Sequence, residues 1–519
     1  MRNNKTILIF LLIVLLASFL RIYKINEESF GIDEGLSAFT AQKYDAFQTL
    51  NNVYLYGQLL PGHYPGISDL PVYPVTLYYW TRLFSINETS LRLYSALFGI
   101  LTFFFVFLLA RDLFGKKNAV ISSLFFSINL ILISYSQEAR PYSLVLFFGA
   151  SSSYFLIKSL QSQKNYYGGG YIISTILGLY THFLYELLLL AQIAYIIFEL
   201  MIIRSYSITS IFNQLLHGKK SFIRKIFGIF IILLLLSSPL VLRTFRKGNS
   251  EQWRDKPTLD ITAREVMGFA TWVYPSESLR DKIKNFAIYD FTLFEYLFVL
   301  SVILTVLLAY FFVFFCIITK IKKCKLKVFL RKERNTIYLL NLFLFPSIFS
   351  FLLSVTTPIP IFGPINYVIY SIPPFLILLS EGLLSLKPKY FKFFISLFIL
   401  VNIFPIYAYY SNVDKQQWRE LSLYLKGKNI GNDTVITSLY SGEVTLRYYY
   451  GDYKTIVGVK NLSEFKGMVK GKDNFWLILS FWKYQDPNGL IQKYAQENYE
   501  LVDYKHFFDI DAYHYKKKN

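Results

Sequence analysis

Charge is what this chain has least of: 17% of its 519 residues are Asp, Glu, Lys or Arg, against 54% apolar and 19% aromatic. Soluble domains carry about a quarter charged residues, so a soluble globular protein is excluded. Cysteine is nearly absent. The two present, Cys316 and Cys324, flank one membrane boundary and supply neither a disulfide framework nor a zinc cluster. Also missing are a Walker phosphate loop, a dinucleotide fingerprint, His-Glu-x-x-His and Gly-x-Ser-x-Gly. Their absence argues against an ATP-driven transporter. No repeat of solenoid length occurs.

What fills the chain is apolar runs near the ~20 residues that cross a bilayer. They lie near 7–23, 91–110, 118–135, 142–159, 170–182, 183–203, 225–243, 292–318, 337–355, 366–385 and 391–409. The first has basic ends (Arg2, Lys5, Arg21, Lys24) and no small-x-small cleavage site, so it reads as a retained anchor. Acids are scarce: 34 Asp and Glu against 54 Lys and Arg give a net charge of +20. The basic residues cluster in alternate short loops, most densely from Lys320 to Arg334, which reads as positive-inside topology rather than nucleic-acid binding. The N-terminus is then cytoplasmic, and three pieces face outward: 24–90, 244–291 and the tail after Tyr410.

The expected fold is therefore an α-helical polytopic membrane protein of about 11–13 transmembrane helices, in the cell membrane. Residues 1–410 form the transmembrane domain and 411–519 an outer α/β domain. In that tail, helix-like runs (Gln417 to Leu425, Glu443 to Tyr450, Leu462 to Val469, Gly489 to Tyr499) alternate with strand-like ones. The alternation, closing on a strand from Leu501, predicts a mainly parallel sheet.

Few residues can carry chemistry. Asp33 and Glu34 sit where the chain first leaves the membrane; the bland alternative is an interfacial acidic pair ending a helix. Glu138 and Arg140 share a loop of a few residues, where they either neutralise each other or offer a guanidinium fork and a second acid. His182 lies at the same face, where a structural role is the commoner one. Asp69 and His63 belong to the first outer loop, whose Pro and Gly residues turn chemistry alone explains.

Six segments, in order, carry a resemblance. They are Phe30-Gly-Ile-Asp-Glu34, Ser90-Leu-Arg-Leu-Tyr-Ser-Ala-Leu-Phe-Gly99, Leu108-Leu-Ala-Arg-Asp-Leu-Phe-Gly115, Tyr135-Ser-Gln-Glu-Ala-Arg-Pro-Tyr-Ser-Leu144, Thr181-His182 and Gln417-Trp-Arg-Glu-Leu421. The set resembles the C-superfamily membrane glycosyltransferases, in the branch of protein O-mannosyltransferases and the lipid A aminoarabinose transferase. It is dense over residues 1–200 and thin beyond. The first loop keeps Asp69 but lacks the usual His, Asn366-Tyr367 stands where Arg-Tyr is common, and the Trp-Trp-Asp of oligosaccharyltransferases is absent.

The resemblance implies inverting transfer of one sugar, hexosyl or pentosyl, from a polyprenyl-phosphate donor. The acceptor would be a hydroxyl of a protein, lipid or cell-surface glycan on the outer face. Asp33 and Glu34 would be catalytic, with Asp33 the base. Arg140 and Arg92 would bind the donor phosphate. Glu138, Asp69 and His182 would orient the acceptor or ligate a divalent metal ion, whose use stays open. Two rivals remain: a secondary transporter or lipid flippase using outer carboxylates, and a non-catalytic scaffold displaying the tail.

Overall fold

The computed structural model describes the chain except at positions 1, 54–69, 163, 218–221, 247–255, 272–278, 280–281, 284–287, 323–325, 358–360, 414, 429, 431–432, 439, 452–454, 481–485, 487 and 519. Every apolar run read from the sequence is helical. Among the described residues, eight helices are long and apolar enough to cross a membrane: Glu88–Phe114, Tyr142–Gln161, Tyr185–Ile203, Phe222–Leu240, Leu293–Ile321, Arg334–Thr356, Ile365–Leu384 and Pro388–Ser411. The run near 118–135 is a bent pair, and those near 7–23 and 170–182 form shorter helices. The molecule is a multi-pass membrane protein.

The helices that position the site come early: α1 (Arg2–Ile22), α2 (Ile32–Lys43), α3 (Ala46–Asn51), α4 (Val72–Leu83), α5 (Glu88–Phe114), α6 (Lys116–Ile128), α7 (Leu130–Ser136), α8 (Tyr142–Gln161), α9 (Asn165–Leu179) and α10 (Tyr185–Phe198). Leu8, Leu11 and Leu15 of α1 stay exposed, as lipid-facing side chains do, while Ala17 is buried against the bundle. With no hydrophobic force between helices in lipid, close approach depends on small residues. Gly382 shows this, because a Cβ there would collide with the Phe312 carbonyl of the neighbouring span.

The 59° bend between α6 and α7 leaves carbonyls without helical partners inside the bundle. Arg21, fully buried, donates to two of them, Phe126 O at 3.2 Å and Ser127 O at 3.4 Å. Asn129 then caps α7 through Leu132 N (3.1 Å) and donates to Phe269 O and Ala270 O. The bend aims the loop after α7, which carries Glu138 and Arg140, at the start of α2.

The tail forms a five-stranded sheet in the order β2-β1-β3-β5-β4, with β1 (Thr434–Thr437), β2 (Ile456–Gly458), β3 (Asn474–Ser480), β4 (Tyr499–Phe507) and β5 (Ile510–Lys517). The helices Trp418–Gly427, Tyr440–Tyr450, Leu462–Val469 and Leu490–Asn498 alternate with the strands much as the sequence predicts. The sheet is mixed, however. β1 is parallel to β2 and β3, whereas β5 is antiparallel to β3 and β4. The expected single closing strand is a hairpin, turned at Phe508-Asp509 with Asp509 at φ 52°, and so short a connection permits only antiparallel pairing.

This domain sits directly on α2. Gly35 has no side chain because Thr445 occupies that space. Tyr449 Oη accepts from Phe30 N (2.7 Å) and donates to Glu88 Oε1 (2.8 Å), while Tyr448 Oη donates to Ile86 O (3.1 Å).

Candidate functional site

Asp33 and Glu34 open α2. Adjacent helical residues point about 100° apart, and here one faces inward and the other outward. Glu34 is buried and fully engaged. It accepts from Gly31 N (3.1 Å), Ala139 N (2.8 Å), Arg92 Nε and Nη2 (both 2.9 Å) and Lys415 Nζ (3.1 Å). Burial opposes its ionisation, yet the Arg92 and Lys415 charges and the hydrogen bonds outweigh it and hold the carboxyl well below the usual range.

Arg92 is equally committed. A guanidinium has five N–H donors. Here Nε and one Nη2 proton go to Glu34, the other Nη2 proton to Ser29 O (2.9 Å), and Nη1 to Ile25 O (2.9 Å) and Glu28 O (2.8 Å). No donor is left for a phosphate. Arg92 thus ties the first loop to α5 and Glu34.

Asp33 is 69% exposed, and its carboxylate meets Arg140 Nη2 at 3.6 Å, a loose pair. Arg140 Nη1 also donates to the Asp33 carbonyl at 3.4 Å, and its guanidinium lies 5.8 Å from the Tyr142 ring centre. The Tyr142 ring neighbours His182 (5.9 Å), which in turn neighbours Tyr367 (6.0 Å). His182 is buried, and its Nδ1 accepts from Leu184 N at 3.2 Å, which places the ring proton on Nε2. The structure therefore brings Asp33, Glu138, Arg140 and His182 to one end of the bundle. Asp69 and His63 lie outside the described residues. Asn366, beside Tyr367, is buried.

Glu138 makes no side-chain hydrogen bond among the described residues. Burial pushes its carboxyl up from 4.5 to about 7, Lys415 and Arg140 oppose the rise, and Glu34 and Asp33 add to it. The folded state then holds this proton more tightly than the unfolded chain. Its contribution to stability is full below pH 4.5 and is lost as pH rises through about 7. Thermal unfolding across pH 5–8 is expected to show this fall, on the order of 2–3 kcal/mol, and Glu138→Gln to flatten it. A wild-type slope retained by the variant would assign the effect elsewhere.

Sequence reasoning missed Lys415. Besides Glu34, its Nζ donates to Gln137 O (3.0 Å), so the first turn of the tail reaches into the site. Its only signal is its place two residues before the Gln417-Trp418 run. Asp33 and Glu138 could supply two oxygens to a metal, but no group of three or more ligand residues capable of holding one occurs among the described residues.

The geometry has a counterpart in known proteins. The sequence profile of the family described as "Dolichyl-phosphate-mannose-protein mannosyltransferase" matches residues 68–217. ArnT from Cupriavidus metallidurans bound to undecaprenyl phosphate superposes with TM-score 0.55 at 12% identity, over 97% of each chain. The oligosaccharyltransferase AglB from Archaeoglobus fulgidus, in complex with an inhibitory peptide and a dolichol-phosphate, gives 0.50 at 11% identity, over 99% of this chain and 74% of that one. An "Uncharacterized protein" of Aquifex aeolicus (strain VF5) is 32% identical over 121 residues, 22% of this chain and about a quarter (24%) of that relative's length. The chain shares its fold with these ArnT and AglB structures.

Proposed function

We propose that this protein is an inverting glycosyltransferase that moves a single sugar from a polyprenyl-phosphate donor to a hydroxyl acceptor on the outer face of the membrane. The observation that carries this is the exposed Asp33 carboxylate set beside Arg140, on a turn held rigid by the buried Glu34–Arg92–Lys415 hub. The ArnT and AglB structures, which share the fold, hold undecaprenyl phosphate and dolichol-phosphate. An outward site also suits a lipid-delivered donor, because nucleotide sugars are scarce there.

Asp33 takes the proton of the acceptor hydroxyl. The acceptor oxygen bonds to the anomeric carbon as the bond from that carbon to the phosphate oxygen breaks. Polyprenyl phosphate leaves, and the sugar inverts. Arg140 stabilises the charge that grows on the phosphate. Glu138, in the same short loop as Arg140, orients the acceptor. Glu34 and Arg92, expected from the resemblance to be a catalytic acid and a phosphate ligand, are positioning residues here, since neither has a free hydrogen-bonding group to offer.

The basic loops support a cytoplasmic N-terminus and an outer tail. Ser463, exposed in the tail, tests this orientation. Ser463→Cys is expected to react with an impermeant thiol reagent on intact cells, and reaction only after permeabilisation would reverse the topology.

Arg140 separates the phosphate role from a salt-bridge role. Arg140→Lys keeps the charge and loses the fork, so binding of undecaprenyl phosphate should weaken partly and Arg140→Ala should weaken it about tenfold or more. If Arg140→Ala unfolds more easily yet binds as wild type does, the phosphate role is wrong.

A further inference from the structure

One buried hydroxyl beside the site lacks a well-formed hydrogen bond. Tyr73 opens α4 and is 4% exposed, and its Oη makes no hydrogen bond of good geometry, the Ser37 hydroxyl being the one polar side chain close enough to act on it. Buried hydroxyls are nearly always paired, and the neighbouring tyrosine follows that rule. Tyr94, whose ring centre is 5.8 Å from that of Tyr73, shares a 2.6 Å hydrogen bond with Thr76.

Three observations fix where Tyr73 stands. Val72 N donates to Tyr180 O at 3.1 Å, pinning the start of α4 two residues from His182. Ser37, one turn after Asp33, lines the same small cavity as Tyr73 and gives its own proton to the Asp33 carbonyl. The hydroxyl also lies within electrostatic reach of Arg140 and Glu34. Burial keeps the phenol protonated, so it can only gain by donating. A protonated phenol within electrostatic reach of a guanidinium suits an anion, and the buried Glu34 carboxylate is already saturated by Arg92, Lys415 and two backbone amides.

We propose that Tyr73 donates a hydrogen bond to the donor phosphate, as a second ligand beside Arg140. This rests on the lipid-phosphate reading above. Tyr73 acts with Arg140 as the glycosidic bond breaks, the phenol keeping its proton and shortening its bond to the oxygen that gains charge. The competing occupant is a single water in the cavity lined by Ser37, Thr40, Thr49 and Tyr73, whose volume of about 10 Å³ is at the lower limit for one.

Two conservative variants in nanodiscs distinguish these, with undecaprenyl phosphate as the probe. Tyr73→Phe is expected to weaken binding about tenfold, the scale of one hydrogen bond to a charged group. Its melting temperature should stay level or rise, because a poorly paired buried hydroxyl has been removed. Tyr94→Phe should do the reverse: a lower melting temperature and unchanged binding. Wild-type binding by Tyr73→Phe would overturn the proposal alone and favour the water, above all if its melting temperature falls. If wild-type protein binds no undecaprenyl phosphate, the donor reading falls and this proposal with it.

Discussion

Asp33→Asn is expected to lower sugar transfer about 10²–10⁴-fold while the protein melts at its wild-type temperature. The first half follows from chemistry: Asn keeps the shape of Asp but accepts no proton at neutral pH. The second follows from the site. Asp33 is 69% exposed and its one ion pair is a loose 3.6 Å, and such surface pairs contribute about 0–1 kcal/mol. Rate and melting temperature measured on the same preparation therefore separate catalysis from folding. Near-normal transfer would move the base to Glu138, whose carboxyl titrates near 7. The sequence alone would have turned next to Glu34, but that carboxylate is held ionised and surrounded by donors.

Breaking the hub should act in the opposite way. Glu34→Gln leaves the Arg92 and Lys415 charges uncompensated, and Arg92→Ala leaves the buried Glu34 with Lys415 as its one remaining charged partner among the described residues. Each is expected to cost about 3–5 kcal/mol, the range for removing one partner of a buried ion pair. The loss should appear as a large fall in melting temperature in detergent. Arg92→Lys rescues little, since three ammonium protons replace five directed donors. Removing both charges with Glu34→Gln and Arg92→Met together should cost less than the two single changes added. Singles that melt like wild type but lose transfer as Asp33→Asn does would place Glu34 and Arg92 in the chemistry after all.

The helices were legible because a membrane-spanning helix needs a long apolar run, and that run leaves a trace no tertiary contact can erase. The tail's alternation was legible for the same kind of reason, yet its sheet type was not. The pairing of β5 depends on a turn at Phe508-Asp509 that reads in sequence as more strand. Within the site, Asp33, Glu138 and Arg140 stand out because charge is rare at a membrane face. Which acid of the Asp33-Glu34 pair is free could not be read, because it depends on Arg92, 58 positions away, and on Lys415, 381 positions away. The hub is assembled by the bend after Ile128 and by the tail docking on Gly35, and neither has a local sequence signature.

The most direct measurement gives purified protein in liposomes a panel of radiolabelled polyprenyl-phosphate sugars, mannosyl, glucosyl and aminoarabinosyl among them. Released polyprenyl phosphate and labelled acceptor are followed for wild type and Asp33→Asn. Wild type is expected to consume at least one donor, releasing one polyprenyl phosphate per sugar transferred, and Asp33→Asn to bind the same donor without turning it over. Wild type that moves a donor or an ion across the bilayer with its glycosidic bond intact, and consumes none of the panel, would contradict sugar transfer and favour the transporter.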